Sequence, residues 1–192
     1  MSVVDSIERA AAGRLPEWAE VTPARRSHIE RVVALLEDWA RRAGLDVRER
    51  ERWRAAGWLH DSLRDAEPES LRPEAPEWAR ELPGPLLHGP VAAARLEAEG
   101  VRDRALLNAI AYHTLGHPEL DRLGRALYLA DFLEPGRSFR PEWRAALRAR
   151  VPEAMDRVLV DVVASRLEHL LTTRRRIRPE SLAFWNAIAE GA

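Results

Sequence analysis

The run Trp53-Arg54-Ala55-Ala56-Gly57-Trp58-Leu59-His60-Asp61 sets the terms for the whole chain. It begins as a mostly apolar helix and ends on a histidine and an aspartate side by side. A carboxylate at the inner end of such a helix is costly to bury unless it is paired, hydrogen-bonded or bound to a metal. Trp53, Ala56, Gly57 and His60 fall on one helical face, with Asp46 as the expected N-cap. Gly57 in mid-helix costs roughly 1 kcal/mol relative to alanine, which predicts close approach of a neighbouring helix.

Outward from this run the helical spacing recurs and no strand-like alternation persists, so the expected fold is all-α. The spacing predicts a single compact bundle of about eight to nine helices. Residues 1–20 form an N-terminal helix (Ser2 to Gly13) and a connection packed on the main domain, 21–192. Thr22-Pro23 reads as an N-cap and first-turn proline. Ile29, Val32, Val33, Leu36, Ala40 and Ala43 then mark one face, with His28 one turn ahead of Val32.

Beyond the quoted run, 65–85 is proline-rich, a long connection with one helical turn around Trp78. Helix resumes from Leu86 to Glu99, with His88 just ahead of Pro90. Asp103 caps the next helix, on which Leu106, Ile110 and His113 share a face. Leu120, Leu123, Leu127 and Ala130 lead to Asp131, and Glu134-Pro135-Gly136 stops that helix. Pro141 and Pro152 suit the first turns of two more helices, the second carrying Val158, Val162, Leu167 and Leu171. The last begins near Pro179 and is expected to bury Leu182, Trp185 and Ile188. Most of the seven tryptophans read as core.

The composition narrows the chemistry. With 192 residues, 46% hydrophobic and 32% charged, the chain has the make-up of one soluble globular domain. A net charge of -1 offers no bulk attraction for nucleic acid or an anionic membrane. No apolar run approaches a membrane span and no secretory pattern opens the chain, so a cytoplasmic location is expected. Cysteine is absent, which excludes disulfides, thiolate metal sites and a thiol nucleophile. Lysine is absent too, which excludes Schiff-base chemistry and a P-loop lysine.

What remains is His, Asp, Glu, Ser/Thr, Arg and metal. One histidine beside an apolar stripe is ordinarily a core or surface residue. Here His28, His60, His88 and His113, with Asp61 and Asp131, fall at the ends or inner faces of separate predicted helices. Imidazole and carboxylate together suit iron, manganese or zinc. His28, His60, Asp61 and Asp131 would hold one ion. Asp61 can bridge to a second, completed by His88 and His113. Such ions acidify bound water and neutralise phosphate oxygens, which suits phosphate-ester hydrolysis.

The order His28…His60-Asp61…Asp131 matches the H…HD…D pattern of HD-domain phosphohydrolases. The segments Leu86-Leu87-His88-Gly89-Pro90-Val91, Ala111-Tyr112-His113-Thr114 and Tyr128-Leu129-Ala130-Asp131-Phe132-Leu133-Glu134-Pro135-Gly136-Arg137 are more specific. Together they resemble the YqeK family of bacterial HD proteins, from about Arg25 to Asn186. That resemblance implies hydrolysis of diadenosine tetraphosphate symmetrically to two ADP, by metal-bound hydroxide attacking an inner phosphate. It implies iron, one or two ions per site, with manganese or another divalent metal as substitutes. The six residues above would be the metal ligands. Asp61 would orient the nucleophile and Arg64 would act beside it as a catalytic charge.

Arg25, Arg64, Thr114, Gly116, His117 and Arg137 are the expected substrate contacts. The partner would be a nucleotide, dinucleoside polyphosphate or ADP, with no nucleic acid or membrane; a homodimer stays open. The chain departs from the family pattern at Arg64, where a lysine is usual, and at His117, where an arginine is usual. Pro68 to Pro85 replaces a helical segment. Two alternatives stay open: an HD phosphohydrolase of other nucleotides, including mono- and diphosphates or a signalling nucleotide, and a nucleotide-sensing module without turnover. Arg174-Arg175-Arg176 reads as a solvated helix end.

Overall fold

A computed structural model describes residues 3–189, where ten α-helices and no strands are found. Ser2, the expected start of the first helix, lies outside the described residues. The helices are α1 (Val3–Ala11), α2 (Pro23–Arg42), α3 (Val47–Leu59), α4 (Pro68–Leu71) and α5 (His88–Ala98). They continue as α6 (Arg104–Tyr112), α7 (Arg122–Leu133), α8 (Pro141–Arg150), α9 (Met155–Thr172) and α10 (Pro179–Ala189). The 65–85 connection is filled by α4 and by short 3-10 turns at Arg72–Glu74, Glu77–Ala79 and Gly84–Leu86.

Local signals set most of these boundaries. Thr22 accepts the Arg25 N–H, Asp46 the Glu49 N–H and Asp103 the Leu106 N–H, each an orphan amide of a first helical turn. Gly13, Gly44 and Gly100 follow helices with positive φ, where a side chain is disfavoured. Gly57 does mark a close crossing. A Cβ there would stand 2.8 Å from Val33 Cγ2 and 3.0 Å from Leu36 Cδ1, so α3 lies directly on the apolar face of α2.

The core runs between α2, α3, α5, α6 and α7, with Trp39 and Trp53 fully buried within it. α1 packs on α3 and buries Ala10 and Ala11. This packing turns the C-terminal ends of α3 and α6 toward the inner faces of α2 and α7. It thereby gathers residues that are distant in sequence at one point.

Three expectations need correction. Pro152 is not in a first turn: Val151 turns inward, fully buried with an extended backbone, and α9 starts only at Met155. Leu171 is 65% exposed, because the last turn of α9 runs past the core. α10 is rotated from the expected phase, so Phe184 is buried while Leu182 is 48% exposed and Trp185 only half-buried. Most of the tryptophans do join the core, Trp39 and Trp53 fully interior and Trp18, Trp143 and Trp185 packed against it, while exposed Trp78 stacks on Tyr112 at 4.6 Å between ring centroids.

Asp103 joins two roles, capping α6 and pairing in bidentate fashion with Arg52 of α3, Nη2 to Oδ1 at 2.8 Å. Burial opposes its charge, but Arg52 and the Leu106 amide outweigh that and hold the carboxyl below its ordinary value. A depressed folded pKa gives stability that is complete above the unfolded value, roughly 4, and is lost as pH falls through the folded one. Asp103→Ala is expected to cost about 1–2 kcal/mol in urea unfolding at pH 7. The gap to the parent protein should narrow at pH 3; an equal gap at both would assign the loss to packing.

Candidate metal centre

Three of the clustered histidines are aimed by one local device. Each sits at a helix terminus and its Nδ1 lies against the carbonyl three residues back. His60 meets Gly57 O at 2.7 Å, His88 meets Pro85 O at 3.0 Å and His113 meets Ile110 O at 2.7 Å. A carbonyl can only accept, so each Nδ1 carries the proton and each Nε2 is left with a free lone pair. His28 is aimed by a long-range contact instead, with Nδ1 3.3 Å from Glu134 Oε1.

The four Nε2 atoms converge on Asp61. Its Oδ2 lies 3.5 Å from His28 Nε2 and 3.7 Å from His60 Nε2. Its Oδ1 lies 3.2 Å from His88 Nε2 and 3.5 Å from His113 Nε2. Asp131 Oδ1 closes the first side, 3.2 Å from His28 Nε2. Two groups, His28–His60–Asp131 and His60–Asp61–His113, each bring one ligand atom per residue within 4.8 Å of the others.

The arrangement fits a divalent cation on grounds of its own. The buried Nε2 of His60 has no hydrogen-bond partner. His88 and His113 point Nε2 at Nε2 across 3.1 Å, a contact that repels unless a proton or a cation lies between. Imidazole and carboxylate donors suit iron, manganese or zinc.

The electrostatics agree. Burial lowers the His60 imidazole to about 4, so it stays a neutral donor near pH 7. Burial also lowers His88. Burial would raise Asp61, but His60, His113 and His88 hold it well below the usual carboxylate range. Asp131, buried yet bonded to His28, is held low too. Burial opposes charge on His28, but its bonds to Asp131 and Glu134 win and raise it to about 9. That surplus of negative field is what a metal ion would satisfy in place of a proton.

The centre floors a cleft of about 540 Å³. Arg25, Arg64, Thr114 and Arg137 line it, while His28 and His60 stand behind its floor. Arg25 Nη1 donates to Asp61 Oδ2 at 2.8 Å and Arg137 Nη2 to Asp131 Oδ1 at 2.7 Å. Arg64 Nη1 donates to Pro85 O at 2.9 Å, the carbonyl that also orients His88.

Gly116 and His117 do not line the cleft, contrary to the sequence expectation. Gly116 has φ +77 and packs on Phe184, with a Cβ there only 2.0 Å from the ring. His117 packs tilted against Tyr112, 4.4 Å between ring centroids, on the ring that Trp78 stacks on. Both positions serve the packing of the 113–117 turn, which leaves Thr114 as the part of it that faces the cavity.

Three contributors escaped the sequence reading. Glu134, buried and lowered to about 2, has burial against its charge but accepts from His28, Arg31 and the Gly136 amide. A carboxylate that orients a ligand imidazole raises its basicity. Its one sequence signal is its place three residues after Asp131. Arg144 and Arg166, from α8 and α9, line the far wall of the cleft, with nothing in their local sequence to mark them.

Comparison with known proteins places this geometry. The HD domain family model matches residues 25–136. A Bacillus subtilis (strain 168) protein named symmetrical bis(5'-nucleosyl)-tetraphosphatase is 26% identical over 179 residues, 90% of this chain and 94% of that protein. A Halalkalibacterium halodurans protein of the same name is 30% identical over 104 residues, so the match spans about half of each chain, 54%. The crystal structure of a predicted HD superfamily hydrolase from Clostridium acetobutylicum superposes with TM-score 0.75 at 24% identity, covering 100% of both chains. At that identity the likeness speaks for the fold. No described helix is long and apolar enough to cross a membrane.

Proposed function

The chain belongs to the HD domain family, and from that premise we propose that it hydrolyses diadenosine tetraphosphate symmetrically to two molecules of ADP. The coarser class, a metal-dependent phosphohydrolase, follows from the family and from the metal-fitting donor set. One observation carries the reading. Asp61 turns each of its two oxygens to a different pair of imidazole Nε2 atoms, at the floor of a cleft rimmed by arginines.

His28, His60, Asp61 and Asp131 would hold one ion, and Asp61, His88 and His113 a second. Iron is the first expectation, with manganese or another divalent metal as substitutes. Bound there, such ions would acidify water and neutralise phosphate oxygens.

The protein's own groups do the rest. Asp61 is held anionic and can accept a proton-bearing nucleophile's hydrogen bond, orienting it toward an inner phosphorus. Arg25 braces Asp61 from outside through Nη1, holds Asp65 through Nε and lines the cleft. Arg64 and Arg137 present charge on either side of the carboxylate pair, which suits a polyphosphate spanning the centre. In-line attack then expels ADP on the opposite side. Thr114 borders the cavity and is placed to meet the nucleotide, while Gly116 and His117 support the turn beneath it.

The test is product analysis. Protein loaded with ferrous iron under anaerobic conditions, or with manganese, is incubated with diadenosine tetraphosphate and the products are resolved by chromatography. ADP alone is the expected result. AMP with ATP would overturn the symmetrical register, and no product would overturn the substrate.

A further inference from the structure

Arg144 is the odd charge in this molecule. It is 6% exposed, faces the cleft, and its Nη1 has no hydrogen-bond partner. No carboxylate pairs with it or with Arg166 among the described residues, although ion pairs are abundant elsewhere on the surface. A buried, unpaired cation is costly, so it persists where something offsets it.

The local structure holds Arg144 firmly without neutralising it. Its Nε donates to Phe139 O at 2.7 Å, and its guanidinium lies 4.0 Å from the centroid of the Phe132 ring. Arg166 shares that ring at 5.7 Å and Tyr128 at 5.1 Å, with Nη2 donating to Thr114 O at 2.8 Å. Each guanidinium is therefore fixed by one carbonyl and by aromatic faces, which position a cation but satisfy little of its charge. Burial together with the nearby Arg137 and Arg166 charges disfavours the protonated form of Arg144, with Glu134 and Asp131 opposing.

The geometry points to a second phosphate-binding station, formed by Arg144 and Arg166, on the Asp131 side of the metal residues. Its ligand class is the diphosphate moiety of a nucleotide. Arg25 and Arg64 stand on the Asp61 side, so a polyphosphate lying over the centre would be gripped at both ends. The station would hold the half that departs as ADP, a division of labour that rests on the proposed tetraphosphate reading. Guanidinium forks already fixed in place lose little freedom when they take a phosphate, and a buried setting strengthens the bond.

The test measures binding without turnover. ADP is titrated calorimetrically into the manganese-loaded full chain, into Arg144→Gln and into Arg144→Lys, alongside manganese content and melting temperature. Arg144→Gln is expected to weaken ADP about 10- to 100-fold, with Arg144→Lys recovering part of it. Metal content and melting temperature should match the parent protein. Unchanged ADP affinity in Arg144→Gln would overturn the station. So would equal weakening in both variants with a lowered melting temperature, which would make Arg144 a structural anchor for Phe139. The two readings separate cleanly. An Arg144-dependent ADP site in a protein that leaves the tetraphosphate intact keeps the station and removes the proposed substrate. Hydrolysis to ADP with no Arg144 dependence does the reverse.

Discussion

Asp61→Ala is expected to abolish turnover, with kcat on the tetraphosphate falling more than about 1000-fold. Asp61 is the carboxylate that reaches both halves of the ligand cluster, one oxygen to each. His28 and His60 face its Oδ2, while His88 and His113 face its Oδ1. Alanine removes the shared charge and leaves two sets of imidazoles with no carboxylate between them, so metal per chain should fall as well. Asp61→Asn makes a finer cut. Its amide offers an acceptor oxygen to one pair of histidines and an NH2 group to the other, so metal stoichiometry should drop toward the side that keeps the oxygen. Elemental analysis and kinetics on the same preparations check both variants. Turnover of Asp61→Ala at the parent level would remove this residue from the mechanism.

Gly89→Ala should damage the same centre from outside it. A Cβ at Gly89 would stand 2.7 Å from Ile110 O, 3.1 Å from Ala111 O and 3.2 Å from His113 Cε1. The two nearest obstacles are backbone carbonyls, which cannot swing aside as a side chain end could. Ile110 O is also the acceptor that aims His113. Relief therefore requires α5 and α6 to separate, which moves His88 and His113 apart. The expected cost is about 1–3 kcal/mol in unfolding, with a 10- to 100-fold loss in metal affinity on the His88–His113 side. Gly44→Ala is the matched comparison. It has φ +67 but nothing within 4 Å of its Cβ position, so it should cost stability through the backbone alone and leave metal content intact. Equal metal loss in both would trace the Gly89 effect to general destabilisation.

The sequence was most informative where physics is local. The caps at Thr22, Asp46 and Asp103, and the close crossing at Gly57, follow from rules that act over a few residues. The six clustered histidines and aspartates stood out because polar groups at apolar helix ends demand partners. The sequence was least informative where partners are distant. Glu134 acquires its place by meeting His28 across 106 positions, and Arg144 by leaning on Phe132 and the cleft. Gly116 looked like room for a ligand and is room for Phe184, because a glycine records that space is needed and not what fills it. Leu182 and Phe184 differ by two positions on one helix. An aromatic ring packed on Tyr128 at 5.3 Å settles that helix's rotation, which hydrophobicity alone does not.

The hydrogen bonds from the Nδ1 atoms of His60, His88 and His113 each close a ring with a carbonyl only three residues away. Each imidazole is thus a self-contained cartridge, and its aim depends on a short stretch of backbone that the helix end already holds rigid. Little conformational freedom is left for these three ligands to lose when an ion arrives. Capture and release at this centre can be governed by electrostatics and by access through the cleft, with the ligand rings standing ready throughout.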